Sequence, residues 1–308
     1  MPALNLIANP VPWPNGARVA ACFSFDMDGE SLMHIGRPND ANRHVCGLSD
    51  LRYGPTVGVP RLLTIFRHFG IKQTFFVPGW CCERYPAAVE AILKDGHEIG
   101  HHGYIHEDPY GLPPEEERYW TERGMAALVK ATGKQPAGYR APSFASSDVT
   151  LDILLDMGFA YDASLMGDDV PYLISNGTGD LVELPSPMAM DDWPHYMHSF
   201  DFPATTNQIS SPARAFEVFR SEFESAWEHR GLWIAVWHPF ISGRLPRAQA
   251  MASMIEAMLL KGGVWFATLE QIAAHARAMA AAGTWTPRVE RLPYYAASPI
   301  PELKRAAE

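Results

Sequence analysis

Leu232–His238 reads L-W-I-A-V-W-H, a run apolar on both faces with no polar alternation. A strand of that kind needs cover on each side, which points to a parallel sheet flanked by helices. Arg18–Asp26 (R-V-A-A-C-F-S-F-D) has the same character. Ile71–Val77, His97–Gly100, Gly138–Pro142, Phe159–Leu165, Leu181–Leu184 and Val264–Thr268 are further candidate strands. The intervals show helical periodicity and are closed by glycine: Gly58–Phe69 before Gly70, Pro86–Asp95 before Gly96, Pro114–Thr132 before Gly133, Asp148–Met157 before Gly158, and Arg247–Lys261 before Gly262. Ala213–His229 is a further helix, and Thr268 with Gln271 forms a capping-box pattern for a last one to about Ala281. Residues 27–55 are polar and contain glycine, and are expected to form a long loop of the kind used for lids and binding. Alternation from end to end, with no repeat and no compositional break, predicts an α/β fold: about seven β/α units, closed or distorted into a barrel, as a single domain over residues 1–308.

In such folds the polar residues at the carboxyl ends of the strands form the site. The first strand ends Phe25-Asp26-Met27-Asp28-Gly29-Glu30. Residues two apart on a strand face the same way, so Asp26 and Asp28 can enter one pocket. His97–Asp108 (H-E-I-G-H-H-G-Y-I-H-E-D) holds four of the twelve histidines. His102 and His106 can turn their imidazoles to one side of a helical turn, as a metal ion requires. Later strands end in Arg140-Ala141-Pro142, Tyr161-Asp162 and His238-Pro239. Two histidines and one of the aspartates make a face with open positions, where a metal would acidify water and polarise a carbonyl. The other aspartate can act as base, held ionised by Arg140. His238, from the far side of a barrel, can protonate a leaving nitrogen. His97 is expected to be structural and His101 to pack away from its neighbour.

Each piece alone has a plain structural explanation: aspartate starts turns, and a buried histidine or arginine can be a satisfied core group. Their coincidence at matching strand ends carries the functional reading. Composition bounds the partners. Net charge is −10 with no basic run, which excludes the electrostatic footprint of a nucleic-acid or anionic-membrane binder. Cys22, Cys46, Cys81 and Cys82 show no metal spacing and are expected to be free thiols in a reduced compartment. The first residues lack a basic region followed by an apolar core, and no window reaches the ~18–20 apolar residues of a membrane span. A cytoplasmic location is expected, and with it a small-molecule substrate.

The order and wording of these motifs resemble the polysaccharide deacetylase superfamily (carbohydrate esterase family 4), over about residues 15–275. Its paired aspartates, base first and metal ligand second, match Asp26 and Asp28. Its two metal-binding histidines match His102 and His106, its R-x-P followed by an aromatic is similar to Arg140-Ala141-Pro142-Ser143-Phe144, and its histidine ending an apolar strand matches His238. The resemblance implies a distorted (β/α)-barrel and a metal-dependent hydrolase. Extracellular sugar deacetylases usually carry adjacent aspartates, whereas this chain reads D-M-D, and Y-D-A-S-L at 161–165 and D-D-W at 191–193 also differ from their groove motifs. Those features look more like the intracellular branch containing cyclic-imide hydrolases, metal-free allantoinases and atypical peptidoglycan deacetylases. Unlike the allantoinases, this chain keeps Asp28, His102 and His106.

The expected reaction is therefore hydrolysis of a small cyclic imide or amide at a non-peptide carbon–nitrogen bond. Asp26 is the base, His238 the acid, and Asp162 a candidate to orient a catalytic side chain or to serve the core. N-deacetylation of an amino-sugar glycan is the alternative, and a catalytically silent metal- or ligand-binding protein a third. Zinc is the default metal, with cobalt, nickel, iron and manganese also compatible with the ligands. The aromatic insert Trp193–Phe202 is expected to lid a compact pocket or to pack at an interface. The resemblance also implies a homo-oligomer, a tetramer by preference, with Leu292–Pro301 suited to subunit contacts.

Overall fold

The computed structural model describes residues 4–202 and 208–296. Within them, ten strands make one sheet: β1 (Val19–Asp26), β2 (Thr74–Val77), β3 (Glu98–His101), β4 (Gly138–Tyr139), β5 (Tyr161–Asp162), β6 (Tyr172–Ser175), β7 (Asp180–Glu183), β8 (Leu232–Trp237), β9 (Val264–Phe266) and β10 (Val289–Arg291). Their order is β10-β6-β7-β5-β4-β3-β2-β1-β8, with β9 also paired to β1. All pairs are parallel except β6–β7. The α/β expectation holds, and the barrel is distorted.

Every residue of β1 is buried, and its alternation divides two cores. Phe23, Phe25 and the Trp233 and Trp237 side chains of β8 face outward into a layer with Leu62, Phe66, Ile255 and Met258 of the covering helices. Ala20 and Cys22 turn inward, meeting Phe76, Tyr161, Val182, Ile234 and Val236 from four other strands. Phe23 lies edge-on to Trp233 and Trp237 at centroid distances of 4.8 and 5.4 Å. Truncating such a residue to alanine costs about 3–5 kcal/mol. Leu269–Ala281 adds Ile272 and Ala276 to the inner cluster, and its Thr268/Gln271 capping box is present as the sequence predicts.

One expectation is overturned. Residues 27–55 are largely helical, with Ser31–Gly36 and Val45–Tyr53, the latter running through a wide turn at Gly54–Gly58 into Val59–Phe69. Two glycines there serve close approach instead of loop flexibility: a Cβ on Gly47 would lie 2.2 Å from Asp201 Oδ2, and one on Gly54 3.1 Å from the Phe240 amide nitrogen. The sequence also misses β6 and β10. The latter begins the tail and adds in parallel to β6, while positions 297–301 of the expected contact segment lie outside the described residues. All four cysteines are free. No helix among the described residues is long and apolar enough to cross a membrane.

Candidate active site

Parallel pairing puts the ends of β1, β3, β4 and β8 on one rim, where a cavity of about 500 Å³ opens. Asp26, Asp28, His102, His106 and His238 all line it. The five come from three separate strand ends and their loops; Asp28 lies two residues past the end of β1, and His102 and His106 sit on a turn with left-handed Gly103 and His106 instead of on a helical turn.

Asp28 sits at the centre. Its Oδ1 is 3.4 Å from His102 Nε2, and its Oδ2 is 3.7 Å from His106 Nε2 and 3.4 Å from His238 Nε2. Asp28 is 1% exposed, and neither of its carboxylate oxygens has a hydrogen-bond partner. A buried carboxylate left that way is costly unless a cation completes it. His102 Nδ1 donates to the Arg140 carbonyl at 2.7 Å, which fixes the proton on Nδ1 and leaves the Nε2 lone pair turned to Asp28. Asp28, His102 and His106 offer ligand atoms within 4.8 Å of one another. The donor set, the orphaned oxygens and the fixed tautomer all fit a divalent metal.

Two pairs flank this triad. On one side, Arg140 Nη1 donates to Asp26 Oδ1 at 2.8 Å, while its Nε donates to the Ala163 carbonyl and its guanidinium lies 4.2 Å over the Phe76 ring. Burial alone would raise the Asp26 pKa, but Arg140, with His102 and His238, holds it below the usual carboxylate value. On the other side, His238 Nδ1 donates to Asp192 Oδ1 at 2.7 Å. Asp192 Oδ2 accepts the His238 amide and the Ser242 hydroxyl, so both oxygens of that carboxylate are engaged. Burial would lower His238, yet Asp192, Asp28 and Asp191 raise it to about 10. Asp192 is a residue the sequence reading gave no role.

Asp162 stands one layer back. It does not line the cavity; its Oδ1 accepts the Ser164 hydroxyl at 2.6 Å, and that hydroxyl accepts the Ala141 amide. It also hydrogen-bonds Glu183, and burial raises both carboxyls. Its reach to Arg140 and Asp26 runs through the strand end, not through direct contact.

The other two histidines of the 97–108 stretch face away. His101 is held by the Thr121 carbonyl at Nε2 and the Gly103 amide at Nδ1, and packs on Tyr139 and Phe159. His97 accepts the Gln73 amide and lies between Phe66 and Phe75. Burial lowers each to about 4.

Leu32, Ile35, Phe144, Met188, Trp193 and Phe202 supply the apolar wall, and no lysine or arginine is among the lining residues. Trp193 meets His238 edge-on at 5.5 Å. The chain before Phe202 is pinned by Arg37 Nε to the Asp201 carbonyl and by His44 Nδ1 to Asp201 Oδ1. Both ends of the aromatic insert thus border the pocket. Three non-glycine residues around it, His106, Ser143 and Phe144, have positive φ of 63, 55 and 55°. That left-handed conformation costs on the order of 1–3 kcal/mol at each.

The polysaccharide deacetylase family profile matches residues 52–161. The peptidoglycan deacetylase of Helicobacter pylori is 31% identical over 245 residues, covering 70% of this chain and 83% of that protein. The crystal structure of a polysaccharide deacetylase-like protein of Mycobacterium smegmatis superposes with a TM-score of 0.86 at 41% identity, covering 94% of this chain and 99% of that one. An allantoinase superposes with a TM-score of 0.75 at 24% identity, over 90% of this chain and 98% of its own, a likeness of fold.

Proposed function

This chain belongs to the polysaccharide deacetylase family, whose members hydrolyse carbon–nitrogen bonds other than peptide bonds, and we propose that it opens a small cyclic imide or amide. The observation that carries this choice is the cavity: about 500 Å³, walled by Phe144, Trp193 and Phe202. That is the size and character of a small-molecule pocket, not of a groove that takes several sugars in a row.

In this reading Asp28, His102 and His106 hold a divalent metal, zinc by default. When bound, it polarises the scissile carbonyl and acidifies water. The chain's own groups do the proton work. Asp26, kept ionised by Arg140, takes a proton from the attacking water at the oxygen Arg140 leaves free. As the carbon–nitrogen bond breaks, His238 delivers a proton from Nε2 to the departing nitrogen, while Asp192 holds Nδ1. Water is added across the bond, giving a carboxylic acid and an amide or amine in one ring-opened product. Asp26 and His238 bordering one cavity favour an enzyme over a silent binding protein.

A second reading, N-deacetylation of an amino sugar, is favoured by the likeness to the Helicobacter pylori peptidoglycan deacetylase. The experiment is a side-by-side assay of zinc-loaded protein on cyclic imides and on N-acetylglucosamine oligomers, followed by product mass. Ring-opened product with little free acetate is expected. Acetate release from the sugars with every ring left intact would replace the first reading with the second.

A further inference from the structure

Asp191 is 7% exposed and lines the cavity. A parallel bridge to Val236 of β8 fixes its backbone. Its Oδ1 accepts the Trp193 amide at 2.8 Å, and no donor among the described residues reaches its Oδ2. Asp191 keeps a little exposure on the cavity it lines, where a ligand can meet it. Asp192 next to it has both oxygens engaged, by His238 and Ser242, so the two neighbouring carboxylates have different work. A buried acceptor with no partner is expensive in the free protein and discriminating in the complex, because a ligand lacking the matching donor leaves it unpaired. Among the described residues no lysine or arginine lines the cavity, and His238 is already held by Asp192.

We propose that Asp191 is a specificity-determining residue that accepts a hydrogen bond from a second N–H of the substrate. On this assignment, which rests on the ring-opening reading above, the pocket prefers uncharged rings with an additional N–H, such as cyclic ureides, over plain imides. Rings carrying a further carboxylate or phosphate are disfavoured, because Asp191 and Asp108 line the cavity with no lysine or arginine among the described lining residues. Asp191 Oδ1 lies 3.9 Å from His238 Nδ1 and both residues line the one cavity, so a ring held at His238 has Asp191 as a neighbour. Burial pushes the Asp191 carboxyl up to about 7, so the measurements belong at pH 8, where it is ionised.

The test uses two matched pairs, hydantoin against succinimide and dihydrouracil against glutarimide, with zinc-loaded wild type, Asp191→Asn and Asp191→Ser. Asparagine can still accept the Trp193 amide but can present a donor where the acceptor was; serine guards against a folding defect in either variant. The readouts are the ureide-to-imide ratio of kcat/KM and, on metal-free protein, relative affinities by ligand-observed NMR. The expected result is a wild-type preference of about tenfold or more for the ureides, falling to near parity in both variants, with affinities moving the same way. Equal turnover of both ring types by wild type, or a preference unchanged in the variants, overturns the role of Asp191 and leaves ring opening standing. Absence of turnover on all four rings overturns both.

Discussion

Asp26–Arg140 and His238–Asp192 face each other across the candidate metal triad, and they are built alike and act in opposite senses. Each is a reactive group with a fixed counterion bonded behind it, at 2.8 and 2.7 Å. A cation behind a carboxylate keeps it unprotonated; a carboxylate behind an imidazole keeps it protonated. One wall of the cavity is thereby set as base and the other as acid at the same pH, from one structural device. Desolvation alone would do the reverse on both sides, raising the aspartate and lowering the histidine.

The severest way to break this pairing is to remove its reactive members or what lies between them. Chelation should reduce turnover to background, with recovery on adding zinc and far-UV circular dichroism unchanged throughout. Asp26→Asn and His238→Ala should each lower kcat by about 10²–10⁴-fold while bound metal, measured by elemental analysis, is kept. Metal lost from Asp26→Asn would mean that Asp26 is a ligand and the division between the two aspartates is wrong.

Removing the counterions sharpens the comparison. Arg140→Met leaves Asp26 buried without its cation, so its pKa rises and the acid limb of kcat/KM moves to higher pH. Breaking that buried pair should also lower stability by about 3–5 kcal/mol. Asp192→Asn withdraws the charge that raises His238, so the alkaline limb moves to lower pH, with kcat down about 10–100-fold. Both variants shifting the same limb would show that the two sides are not the independent pairs described.

The gentlest test uses histidines without a carboxylate behind them. His97 and His101 are buried like His238 but meet only backbone groups, and lie near 4 instead of near 10. Their folded-state values lie below the unfolded ~6.5, so the unfolded chain binds the extra proton first as pH falls. Each contributes stability that is full above about 6.5 and is lost toward pH 4, about 3 kcal/mol per group. Denaturant unfolding of wild type from pH 7 to 5 should show about 2 kcal/mol of that loss per group, and His101→Gln should flatten part of it; an unchanged slope would show that His101 is not buried in its neutral form.

Much of this arrangement can be read from local spacing. The end of β1 delivers Asp26, with Asp28 two residues beyond it, and other strand ends deliver His102, Arg140 and His238 to one rim. Asp192 could not be found so, because it lies 46 residues before His238, in a segment without periodicity. Its visible signal was only the dipeptide Asp191-Asp192 ahead of the aromatic insert. Residues 27–55 were misread for a different reason: glycine in a polar stretch looks like a loop, whereas Gly47 is small because Asp201 comes so close. Two-residue strands such as β4 and β5 carry too little pattern for any period to show.

The left-handed backbones at His106, Ser143 and Phe144 have a consequence for how this protein can change. A chain under pressure only to stay folded would gain by relaxing them: glycine at 143 relieves the steric conflict without removing an apolar side chain from the core. Thermostable variants picked by melting temperature alone should therefore collect changes around this rim, and grow poorer catalysts as they grow tougher. Selection for durability and selection for turnover pull on the same few torsion angles.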